Sequence, residues 1–176
     1  MSTVAPQFVI PAEFPITMLC GVVLCIECFL CGMNVGLKAR PKAFNKDFME
    51  QFKEVHHEAF PGSDPAVGGH PDAGDGRYSD KLEYKDWVEF NNAMRVHVNF
   101  TEMLPVILVT LVLGGLFVPQ VTMWVAIINT IARAIYATMY ISKGSDSRVL
   151  GAVGGSLPLY IILIWATVKI AILAFN

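Results

Sequence analysis

Charge is scarce in this chain. Only 16% of its 176 residues are Asp, Glu, Lys or Arg, against about a quarter in soluble domains, while 54% are hydrophobic. An excess of basic residues is missing as well: 13 Lys and Arg face 15 Asp and Glu, a formal net charge of −2. With no basic surface to neutralise a run of phosphates, nucleic acid is disfavoured as a partner. Cysteines are few, and all four (Cys20, Cys25, Cys28 and Cys31) fall in one apolar run, so no disulfide framework is expected. The CxxCxxC spacing of the last three suggests a metal or cluster in a soluble protein. Inside an apolar helix Cys instead fills space as a small hydrophobe, and no metal site is expected.

The charge that is present is concentrated. Residues 38 to 90 hold 8 of the 13 basic and 11 of the 15 acidic side chains, leaving nine charges for the other 123 residues. That contrast is the signature of an all-α membrane protein. Apolar runs predict four transmembrane helices near Ile16 to Leu37, Met94 to Phe117, Val121 to Ile141 and Leu150 to Phe175, each close to the roughly 20 residues a crossing requires. The first run has no preceding Lys or Arg and is too long for a signal-peptide core, so it reads as a retained helix. Only Val118, Pro119 and Gln120 separate the second and third, which makes those two antiparallel neighbours. The whole reads as a single four-helix membrane domain with an insertion over residues 38 to 93. Lys38, Arg40, Lys42, Lys46, Lys143 and Arg148 put that insertion and the loop after the third span in the cytosol by the positive-inside rule.

Ionisable groups inside hydrocarbon are costly and usually face a bundle interior or a cavity. Arg95, Asn99 and Glu102 stand at i, i+4 and i+7, and Arg133, Tyr136 and Tyr140 at i, i+3 and i+7, so each trio occupies a single helical face. His97 lies on a neighbouring face, from which it addresses another helix or subunit. With Arg40 at the end of the first span and Arg148 at the start of the fourth, the cytosolic end collects four arginines, two tyrosines, an amide and a carboxylate. Arginines at helix ends also anchor to headgroups, and tyrosines populate interfacial belts. Each residue alone is accounted for in that way. Two single-face stripes at one end together describe a cationic pocket that asks for an anionic, hydrogen-bonding ligand.

The segment from Arg95 to Pro105, RVHVNFTEMLP, resembles the R-x-H-x-N-x-x-E-x-x-P signature of the second helix of MAPEG proteins, the membrane-associated family of eicosanoid and glutathione metabolism. Ala132-Arg133-Ala134-Ile135-Tyr136 followed by Tyr140 is similar to the A-R-x-x-Y-x-x-x-Y run of the third helix, and Ser147-Arg148 stands where the family keeps the arginine that opens the fourth. The resemblance implies a homotrimer that binds glutathione as co-substrate between subunits at the cytosolic end. Arg95, Asn99, Glu102, Arg133, Tyr136 and Tyr140 match ligands of that tripeptide, with Arg40 and His97 contributed by a neighbouring subunit and Arg148 stabilising the thiolate. The implied activity is that of a membrane-bound glutathione S-transferase or peroxidase acting on lipophilic small-molecule electrophiles or lipid hydroperoxides. It also implies the endoplasmic reticulum as location, with a mitochondrial membrane second. Met103 and His97 depart from the leukotriene-synthase branch, and Val149 after Arg148 departs from the prostaglandin synthase. The alternatives are a non-catalytic lipid-binding relative and an accessory or scaffold subunit of a larger membrane complex; the presence of Arg148 and the full second-helix signature favours the enzyme.

The segment from 45 to 90 has no counterpart in that resemblance. It begins with an amphipathic stretch, Lys46 to Phe60, continues through Gly-, Pro- and Asp-rich turns, and closes with the aromatic, charged run Tyr84 to Phe90, suited to the membrane interface. His56, His57 and His70 are too irregular for a zinc site, and Asp72, Asp75 and Asp80 do not follow a calcium-loop spacing. A solvated loop is expected, long enough to dock a protein partner.

Overall fold

The computed structural model describes residues 9–147 and 155–175. The described residues form helices and loops with no strand. The helices are α1 (Phe14–Asn34), continued by a wide π turn (Val35–Ala39) into α2 (Arg40–Ala43), then α3 (Lys46–Glu50), α4 (Lys53–Ala59), α5 (Tyr84–Phe117), α6 (Pro119–Lys143) and α7 (Leu157–Phe175). Four helical stretches are long and apolar enough to cross a membrane: Phe14–Ala43, α5, α6 and α7. The expectation of four spans is therefore met. The expected start of the fourth at Leu150 lies outside the described residues.

The chain divides into two compact units. The first comprises residues up to Cys25, Met103–Ile135 and from Val149 onward. Its interior is a mixture of apolar side chains such as Ile107, Leu111, Leu159 and Ile162 with small polar ones, Thr17, Thr110, Thr122 and Asn129. The threonines are tolerated because each hydroxyl donates to the carbonyl four residues earlier, that of Glu13 just before α1, Val106 within α5 and Val118 just before α6. Asn129 donates to the Gly155 carbonyl at 2.8 Å, joining α6 to the residues that precede α7. Close helix approach depends on Gly114: a β-carbon there would lie 2.5 Å from Ile162 and 2.7 Å from Thr122. Pro119 opens α6, where its missing N–H removes no helical bond, so a single residue, Val118, separates α5 from α6.

The second unit comprises Ile26–Glu102 and Tyr136–Arg148 and contains the insertion. The segment expected as a solvated loop is mostly exposed, and it also has short helices and contributes to a small core. Phe44, Met49 and Phe90 are almost wholly inaccessible and form a core with Val35, Ala43, Ala93 and Met94, flanked by Phe48, Phe52 and Tyr78. Phe44 meets Phe90 edge-on at 4.9 Å, and Phe52 meets Tyr78 at 4.8 Å. Asn45 caps α3 by accepting from the Phe48 N–H at 2.9 Å. The Gly-rich stretch is organised by buried Asp72, whose two oxygens accept from the backbone N–H groups of Gly74, Gly76, Tyr78 and Ser79 and from the Ser79 hydroxyl. Burial by itself would raise this carboxyl's pKa; the bonds from Ser79, Gly74 and Gly76 outweigh it and hold the group below the ordinary carboxylate value. Gly69 has φ +63°, and a β-carbon on it would fall 2.5 Å from the Phe44 ring, so only glycine fits there.

α5 also begins ten residues before the expected Met94, at Tyr84. Trp87 and Asn91, one turn apart, donate to the Gly74 carbonyl at 3.2 and 2.9 Å and tie the insertion to the first turns of this helix.

Candidate functional site

Helical periodicity puts Arg95, Val98, Asn99 and Glu102 on one face of α5, and Tyr136 and Tyr140 one turn apart on α6. In the second unit these six residues line a cavity of about 350 Å³. The tyrosine rings lie 5.5 Å apart and tilted, with Tyr140 buried and Tyr136 half-buried. Arg95 and Glu102 are exposed and form no ion pair among the described residues, leaving a cation and a carboxylate both open to a ligand. Such a wall offers a guanidinium to a carboxylate, a carboxylate to an ammonium group, and an amide and phenols to peptide groups.

The remaining expected residues are placed differently. Arg133 is buried on α6 and does not line this cavity. Arg40 is directed at the insertion: its Nη1 donates to the Gly68 carbonyl at 3.2 Å and reaches that of Gly69 at 3.5 Å, and its guanidinium sits 5.6 Å from the Phe90 ring centre. Within this chain it is an anchor for the Gly-rich loop. His97 packs on α1, where a β-carbon on Gly32 would lie 2.9 Å from its ring, and its buried Nδ1 has no hydrogen-bond partner among the described residues. Arg148 lies outside the described residues.

A second chamber of about 420 Å³ shares Arg95 and Tyr140 with the first. Its walls include Trp87, Asn91 and Asn92 from the early turns of α5, and Lys143 and Asp146 from the end of α6 and beyond. Sequence reading missed these α5 residues because apolarity alone started the helix at Met94. The overlooked signal is spacing: Tyr84, Trp87, Asn91, Arg95, Asn99 and Glu102 recur every three or four residues. At 1.5 Å per residue the stripe runs for about 27 Å.

Four helical stretches long and apolar enough to cross a membrane define a multi-pass membrane protein, and the cavity beside α5 is polar and partly charged. The sequence matches the family model described as MAPEG family over residues 17–168, most of the chain, and the protein belongs to that family. No curated protein and no solved structure matches it. Membership supports a membrane role of the glutathione-transferase or eicosanoid-metabolism kind. The absence of any three-residue His, Cys, Asp or Glu cluster among the described residues gives a metal no evident site there.

Proposed function

We propose that the protein is a membrane glutathione transferase with peroxidase capacity. The observation that carries this reading is the 350 Å³ cavity whose lining unites Arg95, Asn99 and Glu102 with Tyr136 and Tyr140, in a chain of the MAPEG family. Glutathione carries two carboxylates and one ammonium group. Arg95 pairs with a carboxylate, Glu102 with the ammonium, and Asn99 and the tyrosines with the peptide groups. Arg133, Arg148, Arg40 and His97 complete the set by resemblance to the family, the last two across a subunit boundary in a homotrimer. For Arg40 this requires a role beyond the loop anchorage described above.

A free thiol has a pKa of about 8.5 and is mostly protonated at neutral pH. The guanidinium of Arg148 favours the thiolate and enlarges the reactive fraction. In the transferase reaction the thiolate forms a carbon–sulfur bond and the leaving group departs with its electron pair. In the peroxidase reaction the thiolate takes the terminal oxygen of a hydroperoxide, releasing an alcohol after protonation. A second glutathione then displaces water from the sulfenic acid to give the disulfide. The substrates are lipophilic and arrive from the bilayer, with the glutathione site on the cytosolic side of the endoplasmic reticulum.

The test is glutathione conjugation to an aryl chloride by the purified protein, with calorimetric titration of glutathione alongside. Wild type is expected to bind and turn over, and Arg148→Ala to keep most of the binding while losing turnover by about a hundredfold or more, the scale of removing one charge-stabilising group. A wild type that neither binds nor reacts sinks the proposal. The ordered core of the insertion favours a second reading, an accessory subunit that docks a protein through this surface. Co-purification at fixed stoichiometry without glutathione binding would select it.

A further inference from the structure

A third cavity in the second unit, of about 540 Å³, is larger than either chamber above, and neither Arg95 nor Tyr140 lines it. Its walls come from the π turn and α2, from the first turns of α5 and from the end of α6. Phe90 and Ile141, with three alanines, make much of that wall apolar, while the rim carries Lys38, Lys42 and Lys143 against Asp86 and Glu89. Lys42 is paired with Glu89. Lys38 and Lys143 have no carboxylate partner among the described residues, so Asp86 leaves the rim with one uncompensated positive charge.

The position of the two lysines gives this charge a meaning. Each stands at the polar end of a membrane-spanning stretch, with exposed apolar side chains just behind it, Leu37 next to Lys38 and Ile141 two residues before Lys143. Lysine stems lie along apolar surface while the ammonium reaches the depth of lipid phosphates. Basic pockets between membrane helices at that depth suit phospholipid headgroups. We propose that this cavity seats the phosphate of an anionic phospholipid from the leaflet on the side of the insertion. Lys38 and Lys143 hold the phosphate, and the acyl chain leaves over Leu37 and Ile141. Lys143 also lines the second chamber, but the proposal does not rest on glutathione binding.

The experiment is native mass spectrometry of the full-length protein in detergent, titrated with phosphatidylglycerol or with phosphatidylcholine of the same acyl chains. Wild type is expected to retain phosphatidylglycerol preferentially, and the Lys38→Gln/Lys143→Gln variant to lose about tenfold or more of that preference, as two lysines near an anionic surface should give. Both positions are exposed, so the variant folds, which helical circular dichroism checks. Millimolar inorganic phosphate is expected not to compete; full competition would make free phosphate the ligand and overturn the proposal. Equal retention of the two lipids by wild type, or the same preference in wild type and variant, would overturn it too. So would a crosslink from Lys143→Cys to a second copy of the chain that fills the cavity.

Discussion

The two units of this protein solve the problem of polar atoms in opposite ways. In the first, where α5, α6 and α7 are richest in apolar residues, the buried hydroxyls of Thr17, Thr110 and Thr122 are satisfied locally, each by the carbonyl four residues earlier. That arrangement suits a surrounding that supplies no water. In the second, one carboxylate gathers five donors from a Gly-rich loop, and Arg40 reaches 28 residues along the chain to that loop's carbonyls. Local satisfaction makes a helix self-sufficient. Long-range satisfaction lets a segment with little apolar content acquire a fixed shape, and Trp87 and Asn91, which line one chamber beside α5, are bonded to that segment at the Gly74 carbonyl.

The sharpest way to break that contrast is Asp72→Ala. Five donors lose their acceptor, and a buried network of this kind is worth about 3 kcal/mol or more. The 60–83 loop is expected to become protease-sensitive while the membrane helices keep their circular dichroism. Acid should imitate the substitution. Because the folded-state pKa of Asp72 lies below the ordinary value of about 3.9, its contribution is complete above that pH and disappears as pH falls through the lowered folded value. Trp87 emission in a Trp124→Phe/Trp165→Phe background should follow this loss, and Asp72→Asn should remove most of the acid dependence.

A smaller effect is expected from the first unit. Gly114→Ala would push a methyl group into Ile162 and Thr122 and cost about 1–3 kcal/mol of overpacking. Denaturation in mixed micelles measures it, and an unchanged insertion by proteolysis would show that the units are energetically separable. The smallest expected effect is that of Tyr140→Phe. Loss of one hydrogen bond of about 1 kcal/mol should weaken glutathione binding by about fivefold without altering stability, and calorimetry resolves that change. A variant that binds as tightly as wild type would remove Tyr140 from the proposed ligand set.

The membrane helices were legible in the sequence because apolar runs of that length rarely occur outside a bilayer, and the grouping of Arg95, Asn99 and Glu102 followed from helical spacing alone. The start of α5 was not legible. Lys85, Asp86 and Glu89 dilute the apolarity of its first turns, and what secures those turns is the bonding of Trp87 and Asn91 to Gly74, thirteen and seventeen residues away. Arg40 makes a contact within this chain that its spacing does not announce. At a helix end it has the composition of a site residue, but the π turn before it shifts the face from which it projects, and the Gly68 and Gly69 carbonyls that receive it come from a loop with no periodicity to read. Asp72 was visible only as one acid among several, because four of its five donors belong to the backbone.

The joint at Val118 carries a practical corollary. A connection of one residue between two long helices has no slack, so an epitope tag or glycosylation sequon inserted there would pry α5 and α6 apart before any enzyme or antibody reached it. Topology mapping should place its reporters in exposed turns of the insertion, such as Pro61–Asp64, where the chain can lengthen without disturbing a helix.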